Sequence, residues 1–209
     1  MKIVEVKTLL LPEVKVIKYA RFSDDRGYFT EIFRKSDLDS NPNTTFLKKT
    51  EFVQTNESFS RLGTIRGLHF QWNPYLAKLI RTVSGHMVDL VMDIRKGSPN
   101  FGKIIAYDMP QSEDDKIGQW IWVPVGFAHG NFFMKDTTIE YFCSADYNPK
   151  SEAGISPLSP DINWSMCDKA LRDKFELQVK NHPLISPKDK DGLTLGAWLE
   201  DSRSENFVY

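Results

Sequence analysis

Cysteine is scarce in this chain: Cys143 and Cys167 are the only two among 209 residues. They make no CxxC pair and no disulfide framework, so they read as ordinary thiols of a protein that works in a reducing compartment, the cytoplasm. Long apolar runs are missing as well. No stretch approaches the roughly 20 residues of a membrane span. The N-terminus, Met1-Lys2-Ile3-Val4-Glu5-Val6-Lys7, alternates charged and apolar residues where a secretory signal would carry an apolar core. Neither charge sign is in excess: 27 Lys and Arg stand against 28 Asp and Glu, a net charge of −1. That balance excludes bulk attraction to nucleic acid or to an anionic membrane. An anionic ligand must therefore be held by a local cluster of basic groups.

Several catalytic signatures are also absent. There is no GxSxG, no glycine-rich phosphate loop and no GxGxxG, so serine-hydrolase, P-loop and Rossmann chemistries have no foothold. The four histidines, His69, His86, His129 and His182, form neither HxH nor HExxH, the close spacings that usually mark a metal site. No metal and no other cofactor is expected.

What the chain does contain is period-two alternation broken by turn residues, the pattern of β-strands. Strands are predicted at Val14–Phe22, Tyr28–Phe33, Phe52–Phe59, Ile65–Gln71, Lys103–Tyr107, Gln119–Val123, His129–Met134 and Thr138–Ser144. Between Lys78 and Arg95, one run reaches Ser84-Gly85, after which Val88, Leu90, Met92 and Ile94 fall on one face. This spacing predicts a hairpin turning at Ser84-Gly85. So many short strands indicate a sandwich or barrel. The C-terminal part differs. Ser165–Val179 has a helical pattern ended by His182-Pro183, Thr194–Leu199 is apolar enough to pack on the body, and Glu200–Tyr209 is expected to be loose. The expected organisation is one all-β domain over 1–190 and a tail over 191–209.

Polar residues interrupt otherwise apolar strand segments at Gln54, Asn56, Arg66, His69, Lys78 and Arg81. Pointing inward from neighbouring strands of a barrel, such residues would line a cavity; pointing outward, they would be a solvated face.

The motifs that carry a resemblance come in order along the chain. Asp25-Arg26-Gly27-Tyr28-Phe29-Thr30-Glu31 precedes Phe52-Val53-Gln54-Thr55-Asn56. Arg66-Gly67-Leu68-His69-Phe70-Gln71 and Ala77-Lys78-Leu79-Ile80-Arg81 follow. Next come Asp93-Ile94-Arg95 and Val123-Pro124-Val125-Gly126-Phe127-Ala128-His129-Gly130. Asp146-Tyr147-Asn148-Pro149 and Ser186-Pro187-Lys188-Asp189 complete the set. Together they resemble the dTDP-4-dehydrorhamnose 3,5-epimerase family. The resemblance implies a cupin-like jelly roll with a short helical C-terminal appendage. It also implies a cofactor-free epimerase that inverts C3, C5 or both of a nucleotide-linked 4-keto-6-deoxy sugar.

Carried over by position, the resemblance makes His69 the general base, Asp189 its hydrogen-bonded partner, Tyr141 the proton donor and Lys78 the cation beside the sugar carbonyl. It places Arg26, Glu31, Gln54, Thr55, Asn56, Arg66, His129, Glu152 and Lys188 against the substrate, with Tyr147 stacked on the nucleobase. The partners implied are a nucleotide-diphosphate sugar and a second copy of the chain, in a homodimer with N-terminal strand exchange. The chain departs from the family pattern at Phe142, at Thr55 and at Asp146, and in the long stretch between Trp164 and His182. Because these departures cluster near the nucleotide and the mouth of the site, dTDP, CDP and GDP all stay open as carriers. A 3,4-ketoisomerase and a non-catalytic nucleotide-sugar binding module are the alternative functions.

Overall fold

In the computed structural model, which describes every residue from Met1 to Tyr209, the alternating segments fold as thirteen strands. These are β1 (Ile3–Thr8), β2 (Lys15–Ala20), β3 (Phe22–Asp24), β4 (Gly27–Phe29), β5 (Gln54–Ser60), β6 (Thr64–Gln71) and β7 (Lys78–Asp93). The chain continues through β8 (Ile104–Gln111), β9 (Ile117–Val123), β10 (Phe127–Phe133), β11 (Thr137–Cys143), β12 (Glu152–Gly154) and β13 (Leu184–Ile185). Four α-helices, α1 (Lys35–Ser40), α2 (Lys169–Lys180), α3 (Pro187–Lys190) and α4 (Leu195–Glu200), and three short 3-10 helices complete it.

One sheet runs β1-β2-β9-β7-β11-β5 and the other β8-β7-β10-β6, with β12 and β13 on the far side of β6. Strand β7 belongs to both. Its first half pairs with β9 and β11, and its second half with β8 and β10. The architecture is a cupin-like jelly roll.

The Ser84-Gly85 turn predicted from sequence is therefore not a turn, and the two runs are one 16-residue strand. Gly85 instead marks a bulge, the other use of an isolated strand glycine. Ile139 faces Thr82 while the adjacent Thr138 faces Ser84, so β7 carries an extra residue at this point. Gly85 has φ +102°, and a Cβ there would lie 2.6 Å from the Thr137 hydroxyl. The bulge reverses the alternation. Before it, Ile80 points between the sheets; after it, Met87 and Val91 do, while Val88, Leu90 and Met92 point to the outside.

Apolar cover lies in three layers. Between the sheets sit Leu11, Val14, Val16, Ile80, Met87, Val91, Ile121, Phe127 and Phe133, all buried. The outer face of the β1-β2-β9 sheet, with Leu79, Trp120 and Trp122, is covered by the segment containing Leu38 and Leu47. The outer face of the β10-β6 sheet is covered by the C-terminal part of the chain: Phe175 of α2, Trp198 of α4 and Phe207 join Val88, Leu90, Phe70 and Phe132 in one cluster.

The expectation of a loose Glu200–Tyr209 is thus corrected. Phe207 is buried, Val208 pairs with Lys96, and the Tyr75 hydroxyl donates to the Asn206 carbonyl. A sheet built from apolar residues on both faces needs a second cover, and these terminal aromatics provide it. The helix expected from Ser165 begins at Lys169, where the Asp168 side chain caps the Leu171 N–H. The segment Tyr28–Phe33 is strand only as far as Phe29, in a two-stranded hairpin of β3 and β4 whose residues are all exposed.

Candidate active site

A cavity of about 220 Å³ opens between the two sheets, lined by Arg66 and His69 of β6, Lys78 of β7, His129 and Asn131 of β10, Tyr141 of β11, and Asp189 of α3. A second, outer hollow of about 420 Å³ shares His69, Lys78 and Tyr141 with it and adds Gln54, Asn56, Cys143, Tyr147 and Glu152. Six strands and a single helical turn converge on this one place. Of the lining side chains, His129, Asn131 and Asp189 are buried, and buried polar side chains must be met by a partner or by a ligand, whereas Arg66 is exposed.

A second bulge aims the β6 residues. His69 lies opposite His129, and Arg66 opposite Asn131, so three steps along β6 match two along β10. Arg66 and His69 therefore share the cavity face despite their odd spacing. Gly67, between them, has φ +111°, and a Cβ on it would come within 2.5 Å of the Gly130 Cα. Close approach of the two strands at this point requires glycine.

His69 Nε2 is 2.6 Å from Asp189 Oδ1. Asp189 is delivered to it by β13, whose Leu184 and Ile185 run parallel to Thr64 and Ile65 of β6, the strand of His69 itself. Ser186 then starts α3 by capping the Asp189 N–H. Burial of Asp189 raises the cost of its charge, but hydrogen bonds from His69 and Ser186 outweigh that and lower its pKa below the ordinary value of 3.8. Asp189 is thus a carboxylate at neutral pH. Its acceptance of the Nε2 proton leaves the lone pair of the neutral imidazole on Nδ1.

Lys78 makes no ion pair. Burial pushes its pKa down from the ordinary 10.5, opposed by the nearby Cys143, Glu152 and Asp89. Burial likewise pushes the Tyr141 phenol up from 10, so it holds its proton at neutral pH. At the outer hollow, Glu152 accepts from Lys188 Nζ at 2.7 Å and from the Tyr147 hydroxyl at 2.8 Å. Burial opposes its charge and these two bonds more than compensate, so its pKa is lowered. Gln54 accepts from the Tyr147 backbone N–H and donates to Asn56, which donates to the Cys143 sulfur.

Most of the residues expected from sequence gather here: His69, Asp189, Tyr141, Lys78, Arg66 and His129 inside, and Gln54, Asn56, Tyr147 and Glu152 at the mouth, with Lys188 bound to Glu152. Three do not. Thr55 lies one residue from Gln54 and Asn56 and faces solvent, as period-two alternation dictates. Arg26 is 89% exposed and bound to Asp24, on the β3–β4 hairpin. Glu31 is paired with Arg34 and the Met1 amino group, away from the cavity. Arg81 also falls outside. It turns to the opposite sheet face and pairs with Glu140 at 2.7 Å, over the Trp120 ring.

Asn131 and Cys143 join the lining without having been singled out as site residues. Each follows a site residue by two positions on one strand, His129 and Tyr141, and the same alternation would have found them. No group of three His, Cys, Asp or Glu side chains stands close enough together to share a metal ion. No helix is long and apolar enough to cross a membrane.

Comparison with known proteins agrees with this geometry. The family model described as dTDP-4-dehydrorhamnose 3,5-epimerase matches residues 8–196. The dTDP-4-dehydrorhamnose 3,5-epimerase of Sinorhizobium fredii is 39% identical over 178 residues, covering 82% of this chain and 87% of its own. That of Shigella flexneri is 36% identical over 184 residues, covering 87% and 91%. The crystal structure of the dTDP-6-deoxy-D-glucose-3,5-epimerase of Legionella pneumophila with dTDP-4-keto-L-rhamnose superposes with a TM-score of 0.77 at 28% identity, over 98% of this chain and 97% of that one. A 3'-monoepimerase of Streptomyces bikiniensis, crystallised with dTDP-quinovose, gives 0.72 at 26% identity over 91% and 88%. With its fold and its sequence both matching over nearly full length, the chain belongs to the dTDP-4-dehydrorhamnose 3,5-epimerase family.

Proposed function

We propose that the protein inverts C3, C5 or both of a dTDP-linked 4-keto-6-deoxy sugar. The observation that carries this is one cavity shared by the His69–Asp189 pair, Lys78 and Tyr141. The C4 ketone acidifies the C–H bonds on both neighbouring carbons. His69, whose Nδ1 is the nitrogen not bonded to Asp189, removes one of these protons; Asp189 stabilises the imidazolium that forms. The electron pair moves to the C4 oxygen, where Lys78 meets the developing negative charge without prior reorganisation. Tyr141 then gives its proton to the opposite face of the same carbon, which inverts the centre. Solvent restores the phenol, and His69 releases its proton to water. Neither carbon is oxidised or reduced. Arg66 supplies a cation for the diphosphate, and Tyr147 an exposed ring for the base.

Deuterium wash-in tests this reading. With dTDP-4-keto-6-deoxyglucose in D₂O, deuterium is expected at C3, C5 or both, in a product of inverted configuration. No exchange with any nucleotide-linked 4-keto sugar would overturn it. A product with its carbonyl moved to C3 would mean a ketoisomerase instead.

The pH profile follows from the same assignment. Lys78 assists as an ammonium, and its pKa lies below the ordinary 10.5 because of burial. Tyr141 assists as a phenol, and its pKa is raised. The group that burial moves toward loss of function on the alkaline side is therefore Lys78. We expect kcat to fall by about tenfold per pH unit above the Lys78 value, and Lys78→Arg to push that decline to higher pH. The same decline in the Lys78→Arg variant would remove Lys78 from the role.

Assembly belongs to the same proposal. Arg26 stands on a hairpin that carries exposed Phe22 and Phe29, 52% and 69% open, clear of its own cavity. A homodimer that exchanges this N-terminal region would bury those rings and bring Arg26 to the partner's nucleotide. Sedimentation equilibrium is expected to give twice the mass of one chain, and a monomer at micromolar concentration would exclude it. The two free thiols, Cys143 and Cys167, support action in the cytoplasm.

A further inference from the structure

Behind the cavity stands a second His–carboxylate pair. His129 Nε2 is 2.7 Å from Asp89 Oδ2, and the Asp89 side chain is fully buried. His129 is the only side chain that bonds this carboxylate. Its other oxygen, Oδ1, has no partner, and neither has Oδ1 of Asn131, the residue directly opposite Asp89 across β7 and β10. A buried carboxylate with a free oxygen costs several kcal/mol, so it is retained only where something depends on it. Packing does not, because Met87 and Val91 show that this face of β7 accepts apolar residues.

What depends on it is the state of the imidazole. Burial pushes the His129 pKa down, Asp89 only partly opposes this, and Lys78 and His69 push it down further. His129 is therefore neutral, with its one proton on Nε2 given to Asp89. Its Nδ1 is left as a bare acceptor on a ring that lines the cavity. Lys78, which lines the same cavity, is a donor only. This end of the cavity thus offers one donor group and one acceptor. A 4-keto sugar presents the complement, one carbonyl oxygen at C4 and hydroxyl donors at C2 and C3.

We propose that Asp89 is a positioning residue: by holding His129 through Nε2 it fixes Nδ1 as a hydrogen-bond acceptor for a ring hydroxyl at C2 or C3 of the sugar, while Lys78 takes the C4 oxygen. This rests on the epimerase reading above and adds to it a requirement on the substrate. A site built around a hydroxyl rejects an analogue that lacks it, because its own buried acceptor is then left unpaired. In Asp89→Asn the amide can donate to Nε2, which moves the ring proton to Nδ1 and turns the acceptor into a donor.

The test compares wild type and Asp89→Asn on dTDP-4-keto-6-deoxyglucose and on its 2-deoxy and 3-deoxy analogues, reading kcat/KM for deuterium exchange at C5. Wild type is expected to lose at least about 100-fold on one of the two analogues. Asp89→Asn is expected to lose a similar factor on the parent sugar, and to show a deoxy penalty below about fivefold. Binding of dTDP alone is expected to be unchanged. A wild type indifferent to both missing hydroxyls, or a penalty of equal size in the two proteins, overturns the proposal. Absence of exchange by wild type on the parent sugar would instead overturn the epimerase reading.

A measurement that needs no variant stands beside it. In ¹⁵N NMR of the wild-type protein at neutral pH, His129 is expected to be neutral and protonated on Nε2. A proton on Nδ1, or on both nitrogens, overturns the assignment even if Asp89→Asn does not fold.

Discussion

Replacing His69 by alanine is expected to lower kcat by at least about 10²–10⁴-fold, the usual worth of a positioned general base, while dTDP still binds. Deuterium exchange at C3 and C5 should fall by the same factor as product formation, because removal of the proton precedes everything else. Asp189→Asn is expected to fall within the same range without removing the base itself. An asparagine amide that donates to Nε2 leaves the ring proton on Nδ1, the nitrogen that must accept. The two losses should not add in the double variant, since both groups serve one proton transfer. Exchange at wild-type rate in His69→Ala would exclude His69 as the base, and additive losses would separate Asp189 from it.

Tyr141→Phe should split two events that wild type performs together. His69 and Lys78 are untouched, so the enolate still forms, and the His69 imidazolium, once exchanged with solvent, reprotonates it on the face from which the proton left. The variant is therefore expected to wash deuterium into C3 or C5 with configuration retained, while inverted product falls by about 10²-fold or more relative to exchange. The ring is retained, so cavity packing changes little. Inversion at the wild-type rate would mean that the second proton comes from another group. Equal loss of exchange and inversion would mean that the phenol helps to form the enolate.

Much of this was legible in the sequence, and the parts that were not share a cause. Alternation gave the strands around His129 and Tyr141 nearly to the residue, and the ordered motifs brought His69, Lys78 and Asp189 together although Asp189 lies 120 residues from His69. The error at Ser84-Gly85 arose because an isolated glycine between two strand-like runs serves equally as a turn or as a bulge. Only the pairing of both halves with different partners decides between them. Phe207 looked dispensable because nothing local reveals that the outer face of the β10-β6 sheet lacks a cover. Thr55 was placed against the substrate by its neighbours, although alternation alone turns it outward. Asp89 carried no signal of its own: a single acid in an apolar strand shows its purpose only when its partner lies on another strand.

The bulge at Gly85 also constrains how this protein can vary. Lys78 and Asp89 are eleven positions apart on one continuous strand, an odd interval, and both serve the cavity only because one additional residue sits between them. Deleting any single residue from that interval would rotate one end of the strand by half a turn. Either the lysine or the carboxylate would then exchange places with an apolar neighbour. Descendants of this chain can therefore change the sugar they accept by swapping side chains along this strand, or by remodelling the loops at the mouth. Single-residue length changes within it are closed to them.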